Sequence, residues 1–192
     1  MVSKELSTRG TSLGCVRVTK GNRMKSSELL ADAFSRIQEE VHSAVEGLTP
    51  DELGTRPVDA GNSIAWLVWH LTRIQDDHLA DAGGYEQTYL TDGWYERLGL
   101  PFDPADTGYG HSADDVAAVR VAGDLLIGYY DAVHARTAEY LKGLTDEDLD
   151  RIVDRRWNPP VTLGVRLISV ISDDLQHVGQ AAYVRGLLSS VH

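Results

Sequence analysis

The chain has 192 residues, 42% of them hydrophobic and 24% charged, enough for one domain with a full core and ordinary for a globular protein. A formal net charge of −11 excludes a general nucleic-acid binder, because a phosphate-binding surface needs a basic patch that releases counterions. The single cysteine, Cys15, excludes an intramolecular disulfide and fits a reducing cytoplasm, and no apolar run approaches the roughly 20 residues of a membrane helix.

Residues 1–23 differ in character from the rest of the chain. They carry one acid, Glu5, against five basic residues and show no sustained helical period. We expect a flexible N-terminal extension here, ahead of one domain over residues 24–192. The N-terminus also lacks the continuous apolar segment of a signal peptide, so the expected location is cytoplasmic.

From Ser26 the pattern is helical. Leu29, Leu30, Ala33, Phe34, Ile37, Val41 and Val45 recur at threes and fours, with glutamates between them. Gly47 stops this helix. "GLTPDELGTRP" then supplies a capping pattern, with Thr49 as N-cap, Pro50 at the first position and Glu52 three residues on. A near copy, "GLTDEDLDRIVD", begins at Gly143, and the repetition suggests two related helix pairs.

The second helix is predicted from about Ser63 to Leu79, with Ile64, Leu67, Leu71 and Ile74 as its buried stripe. A loop rich in Gly, Tyr, Asp and Pro follows, from Ala82 to His111. A stretch of that length without a period is more often functional than idle. The third helix is predicted from Ser112, as N-cap, to about Lys142. The fourth runs from roughly Thr162 to Leu188, after Pro159 and Pro160 forbid a helix interior. "DRIVDRRW" could form a short extended piece. The expectation is an all-α fold, a four-helix bundle with a long loop between helices 2 and 3.

The polar exceptions carry the chemistry. At about 100° per residue, His177 lies about 40° from Asp173 on the fourth helix, one turn away on a largely apolar face. An acid and a histidine at that spacing can hold one ion, although the spacing is common by chance and, taken alone, is more often an Asp–His hydrogen bond or a helix-surface ion pair. His70 borders the buried stripe of the second helix, flanked by Trp66 and Trp69, whose ordinary role is packing. His78 is read as a hydrogen-bonded structural histidine and Asp77 as a solvated acid.

"SIAWLVWHLTRIQDDHL" and "ISDDLQHVGQAAYVRGLL" resemble the metal-site segments of the DinB-like superfamily. That superfamily includes YfiT-like bundles, the mycothiol-dependent maleylpyruvate isomerase and the bacillithiol and mycothiol S-transferases. The resemblance runs from about Met24 to Leu188. "TDGWYERLGLPFDPADTGYGHSADDVAAVR" is similar to the connecting segment of actinobacterial members. The family takes one histidine from the second helix and two ligands at i, i+4 from the fourth, followed by Gly-Gln or Gly-His. This implies His70, Asp173 and His177 as metal ligands, with Gly179 and Gln180 trailing. Many relatives have histidine where this chain has Asp173; others have an acid. Asp174 is the reserve ligand, while Gln180, Arg185 and Trp66 are candidate neighbours or substrate contacts. Arg185 is expected to pair with Asp174.

Two neutral imidazoles and a carboxylate suit a divalent metal, with Zn²⁺ first and Ni²⁺, Fe²⁺ or Mn²⁺ as alternatives. The resemblance implies mycothiol or a similar low-molecular-weight thiol as cofactor and an electrophilic small molecule as substrate. The expected function is a metal-dependent thiol S-transferase or thiol-dependent isomerase. Two other classes stay open: a stress-related binding protein with a non-catalytic metal site, and a metal-dependent hydrolase. An apolar bundle face with exposed tryptophans is expected to be compatible with a homodimer; neither nucleic acid nor membrane is expected as a partner.

Overall fold

The structure, a computed structural model, describes residues 24–189. The expected N-terminal extension, with Cys15, lies outside the described residues. Four long helices dominate: α1 (Ser26–Val45), α3 (Ile64–Gly83), α7 (Gly123–Lys142) and α8 (Leu163–Ser189). Short helices fill the connections: α2 (Pro50–Leu53), α4 (Thr88–Thr91), α5 (Trp94–Leu98) and α6 (Ala113–Ala118). A single 3-10 turn, Glu147–Asp150, precedes a two-stranded antiparallel ribbon of β1 (Ile152–Asp154) and β2 (Val161–Thr162).

The threes-and-fours spacing of α1 buries Leu30, Phe34, Ile37, Val41 and Val45. Leu29, which that spacing also placed on the stripe, is exposed. Thr49 caps α2 as expected: its side chain accepts from the Glu52 N–H, and the Glu52 carboxylate accepts from the Thr49 N–H. The near copy builds the same reciprocal pair from Thr145 and Asp148, at the head of the 3-10 turn. Ser63 caps α3 through the Trp66 N–H, and Gly84, at φ 69°, ends it in the left-handed conformation that glycine adopts without strain.

The four long helices form a ring in the order α1, α7, α3, α8. α3 packs on α8 and α7, and α1 packs on α7 and α8, while α1 barely touches α3. Consecutive long helices α1 and α3 are therefore diagonal partners, as are α7 and α8. The two segments that begin "GLT" make these diagonal connections, whereas the long loop joins neighbours, α3 and α7. The crossovers are thus the short capped links and not the long loop.

Two further expectations are corrected. The third helix is broken: α6 ends at Ala118, Val119 and Val121 are buried on non-helical backbone around exposed Arg120, and α7 starts at Gly123. The alternation Val-Arg-Val is a period of two, which suits extended chain packed on one side. The buried surface of α3 is also much wider than a stripe. Arg73, Gln75 and Asp76 are buried while Ile74 is only half-buried. The segment from α4 to Ser112 lies over the outer side of α3 as a strap, so a helix in a four-helix ring becomes enclosed nearly all round.

Candidate metal centre

The pairing of His70 with His177 and of His78 with Arg166 runs α3 and α8 antiparallel. That arrangement brings the middle of α3 against one turn of α8. His70, Asp173 and His177 each offer a ligand atom there, all within 4.8 Å of one another, and among the described residues they are the one such group of three. The rings of His70 and His177 meet edge to face at 4.8 Å. His177 Nε2 lies 3.7 Å from Asp173 Oδ1, and the other carboxylate oxygen, Oδ2, is buried with no hydrogen-bond partner.

Each imidazole is oriented from behind. The Nδ1 of His70 is 2.5 Å from the Thr107 carbonyl oxygen, which can only accept, so Nδ1 carries the proton and Nε2 keeps its lone pair. His177 repeats the logic, with Nδ1 3.3 Å from the Gln180 side-chain oxygen. This is how proteins set metal-ligating histidines: one nitrogen bound to an acceptor, the other free for the cation. Burial pushes the His70 pKa down, against the opposing Thr107 bond, and the neighbouring His177 lowers it further. His70 is therefore neutral at neutral pH, as a ligand must be. The donor set, the tautomers and the orphaned Asp173 oxygen all fit a divalent cation with open positions for water or substrate.

The walls are aromatic. Trp66 stacks on His70 at 4.6 Å between centroids and stands edge-on to His177. Its indole N–H donates to His111 Nδ1 at 3.1 Å, and His111 Nε2 lies 3.1 Å from Asp106 Oδ2. Although burial opposes it, bonds from the Gly108 N–H and His111 hold the Asp106 carboxylate below its ordinary range. Gly108 sits at φ 90°, and a Cβ there would come within 2.9 Å of His70 Nδ1 and of Trp69. Only glycine allows the strap this close. Asp106, Thr107, Gly108 and His111 were not singled out as site residues by sequence. The available signal was a histidine in a short polar, glycine-flanked stretch of an otherwise long loop.

The remaining expected residues separate. Asp174 is the fully buried acid of α8, and neither of its oxygens has a hydrogen-bond partner; it is absent from the ligand group. The reason is angular: the buried arc, through Leu167, Val170, Val178 and Ala181, is centred on Asp174, while Leu175 is exposed. Burial, with Asp173 beside it, pushes the Asp174 carboxyl well above the usual range. Arg185 does not pair with Asp174; its guanidinium donates to the Ala44 carbonyl at 3.2 Å, tying α8 to α1. His78 accepts from Arg166, which also bonds Asp154, and so is held structurally. Asp77 accepts from the Gln87 amide.

Comparison with known proteins places this arrangement. A conserved protein from Enterococcus faecalis superposes with a TM-score of 0.81 at 31% identity, covering 88% of this chain and 99% of that one. A DinB-like protein from Bacillus cereus superposes with a TM-score of 0.53 at 17% identity, covering 83% and 91%. YfiT from Bacillus subtilis, described as "a probable metal-dependent hydrolase with an unusual four-helix bundle topology", gives 0.57 at 17%, covering 92% and 95%. No curated protein matches the chain. The sequence model of the DinB superfamily matches residues 33–181, most of the described domain, and the chain belongs to that superfamily.

Proposed function

We propose that this protein is a metal-dependent enzyme of the DinB type, acting as a thiol S-transferase or thiol-dependent isomerase on an electrophilic small molecule. The observation that carries the reading is the convergence of ligand atoms from His70, His177 and Asp173, with both imidazole Nδ1 atoms bonded to oxygen acceptors. Three protein ligands leave room for an outside ligand. Zn²⁺ suits this N₂O set best, with Ni²⁺, Fe²⁺ and Mn²⁺ as alternatives. When bound, such a cation supplies Lewis acidity that lowers the pKa of a coordinating thiol.

The chain's own residues hold that centre and shape its approach. Trp66 and Trp69 exclude water from the His70 side. Asp173, 36% exposed, also lines a shallow groove along α8 with Val165, Ile168, Ser172 and Gln176. The described residues carry no cysteine, and the nucleophilic sulfur of this reading is a cofactor's. The resemblance to the mycothiol-dependent enzymes makes mycothiol the first candidate.

A hydrolase is the second reading, favoured by the description of the Bacillus subtilis neighbour. Elemental analysis of wild type and His177→Ala comes first, and absence of stoichiometric metal in wild type would sink both readings. Metal-loaded protein is then incubated with mycothiol and monochlorobimane, and separately with generic ester and amide substrates. Enzyme-dependent conjugation supports the transferase; hydrolysis without a thiol requirement replaces it with the second reading. Metal without either activity favours a binding role.

A further inference from the structure

Arg73 is a fully buried guanidinium one turn along α3 from His70. It donates through Nε to the Asp106 carbonyl at 3.1 Å and through Nη2 to the Pro104 carbonyl at 3.1 Å. Nη1 reaches the Gln87 side-chain oxygen at 2.7 Å, and the guanidinium lies over the Tyr89 ring at 4.0 Å. Its counter-charge, Asp76, is 3.8 Å away and takes the Thr88 and Tyr89 N–H groups and the Tyr129 hydroxyl.

A buried charge is costly, and well-packed apolar residues often hold a core equally well or better. What an apolar residue cannot do is bind carbonyls. Between Gly99 and Ser112 the strap has no helix or strand to satisfy its backbone, and two of its carbonyls are taken by one planar fork. Lysine, a point charge on a flexible stem, has no equivalent geometry. The second of those carbonyls belongs to Asp106, the residue before Thr107, whose own carbonyl meets His70 Nδ1. The Asp106 side chain then holds Gly108 and His111.

We propose that Arg73 is a positioning residue for the metal centre: by gripping the Pro104 and Asp106 carbonyls it sets the Thr107 carbonyl against His70 and so commits His70 Nε2 to the cation. Its consequence for metal affinity rests on the reading of the preceding subsection, while its effect on His70 does not. Arg73 reaches His70 through the strap and not by contact.

The test uses the full chain, metal-free and ¹⁵N-labelled, as wild type, Arg73→Lys and Arg73→Met. Imidazole ¹H–¹⁵N spectra of wild type should show His70 as a single Nδ1–H tautomer with slow proton exchange. In both variants that resonance should broaden or shift toward mixed tautomers and exchange faster, while His134, remote on α7, is unchanged. Zn²⁺ titration should show affinity lower by about 10- to 100-fold, the usual cost of losing a ligand's supporting partner. A folded Arg73→Lys with the wild-type His70 resonance and wild-type Zn²⁺ affinity overturns the proposal and leaves Arg73 a packing residue. If Arg73→Met does not fold, Arg73→Lys, which keeps the charge and stem, decides. If wild type binds no Zn²⁺ the functional reading falls, yet the His70 spectra still decide this inference.

Discussion

The Nδ1–H of His70 donates to the backbone carbonyl of Thr107, 37 residues further along the chain. One bond thereby joins the middle of a core helix to the middle of a strap and selects which imidazole nitrogen is free. Gln180 performs the same task for His177 from within a single turn of α8. The two ligands are thus oriented by different means, one tertiary and one local.

That difference gives an order of effects. His70→Ala and His177→Ala each remove a donor, and each should weaken Zn²⁺ binding by more than the roughly 10- to 100-fold expected for an outer partner. Gln180→Ala should fall inside that smaller range. Competition titration against a chelator measures all three; a Gln180→Ala loss as large as that of His177→Ala would show that the amide itself ligates.

Gly108→Ala should be far worse than Gly110→Ala. Both positions have positive φ, and each alanine carries a backbone cost of about 1–2 kcal/mol. Only at 108 does the new Cβ also meet His70 Nδ1 and Trp69, at 2.9 Å; at 110 nothing lies within 4 Å. Denaturation midpoints and Zn²⁺ affinity of the two variants should diverge, with affinity reduced only for Gly108→Ala. Equal behaviour would mean that the strap yields freely.

Asp174→Asn should stabilise the metal-free protein at pH 8, because asparagine keeps the shape of the buried acid and cannot ionise. The sign comes from the raised folded-state pKa. Above the ordinary value of 3.8 the unfolded carboxyl ionises while the folded one keeps its proton. The cost of Asp174 therefore grows as pH rises from there through the folded value, and the gain from asparagine should shrink at pH 5. Urea unfolding at the two pH values measures it; a destabilised variant at pH 8 would reveal a partner for the carboxylate.

Acid should destabilise the metal-free protein through its histidines. Burial lowers the pKa of His134, with His42 lowering it further and Asp131 opposing, and burial likewise lowers His70 and His78. Below the unfolded value of 6.5 the unfolded state takes up protons first, so stability is full above that value and is lost as pH falls toward the folded values. His134→Gln should flatten part of the slope between pH 7 and 5. An unchanged slope would place the responsible protons elsewhere.

The period of apolar residues is enough to draw four long helices, and the side chains of Thr49, Ser63 and Ser112 mark three starts, because both signals act within one or two turns. The pair Asp173 and His177 is legible for the same reason: four residues apart on a helix is a local distance. Helical periodicity overextends the third helix where Val119 and Val121 keep a period of two. On α8 the charge of Asp174 counts against burial in the sequence, although the residue lies at the centre of the buried face.

By itself, then, the sequence determined the main helical stretches, the caps at Thr49 and Ser112 and which polar residues share a turn, since these depend on neighbours along the chain. Only the tertiary structure decided the diagonal connections, the enclosure of α3 by its strap, and the use of Asp106, Thr107 and His111 behind His70. Those features depend on backbone groups meeting across more than 30 residues, as at His70 and Thr107. A carbonyl is present at every residue, and its role is assigned only when the fold brings a donor to it.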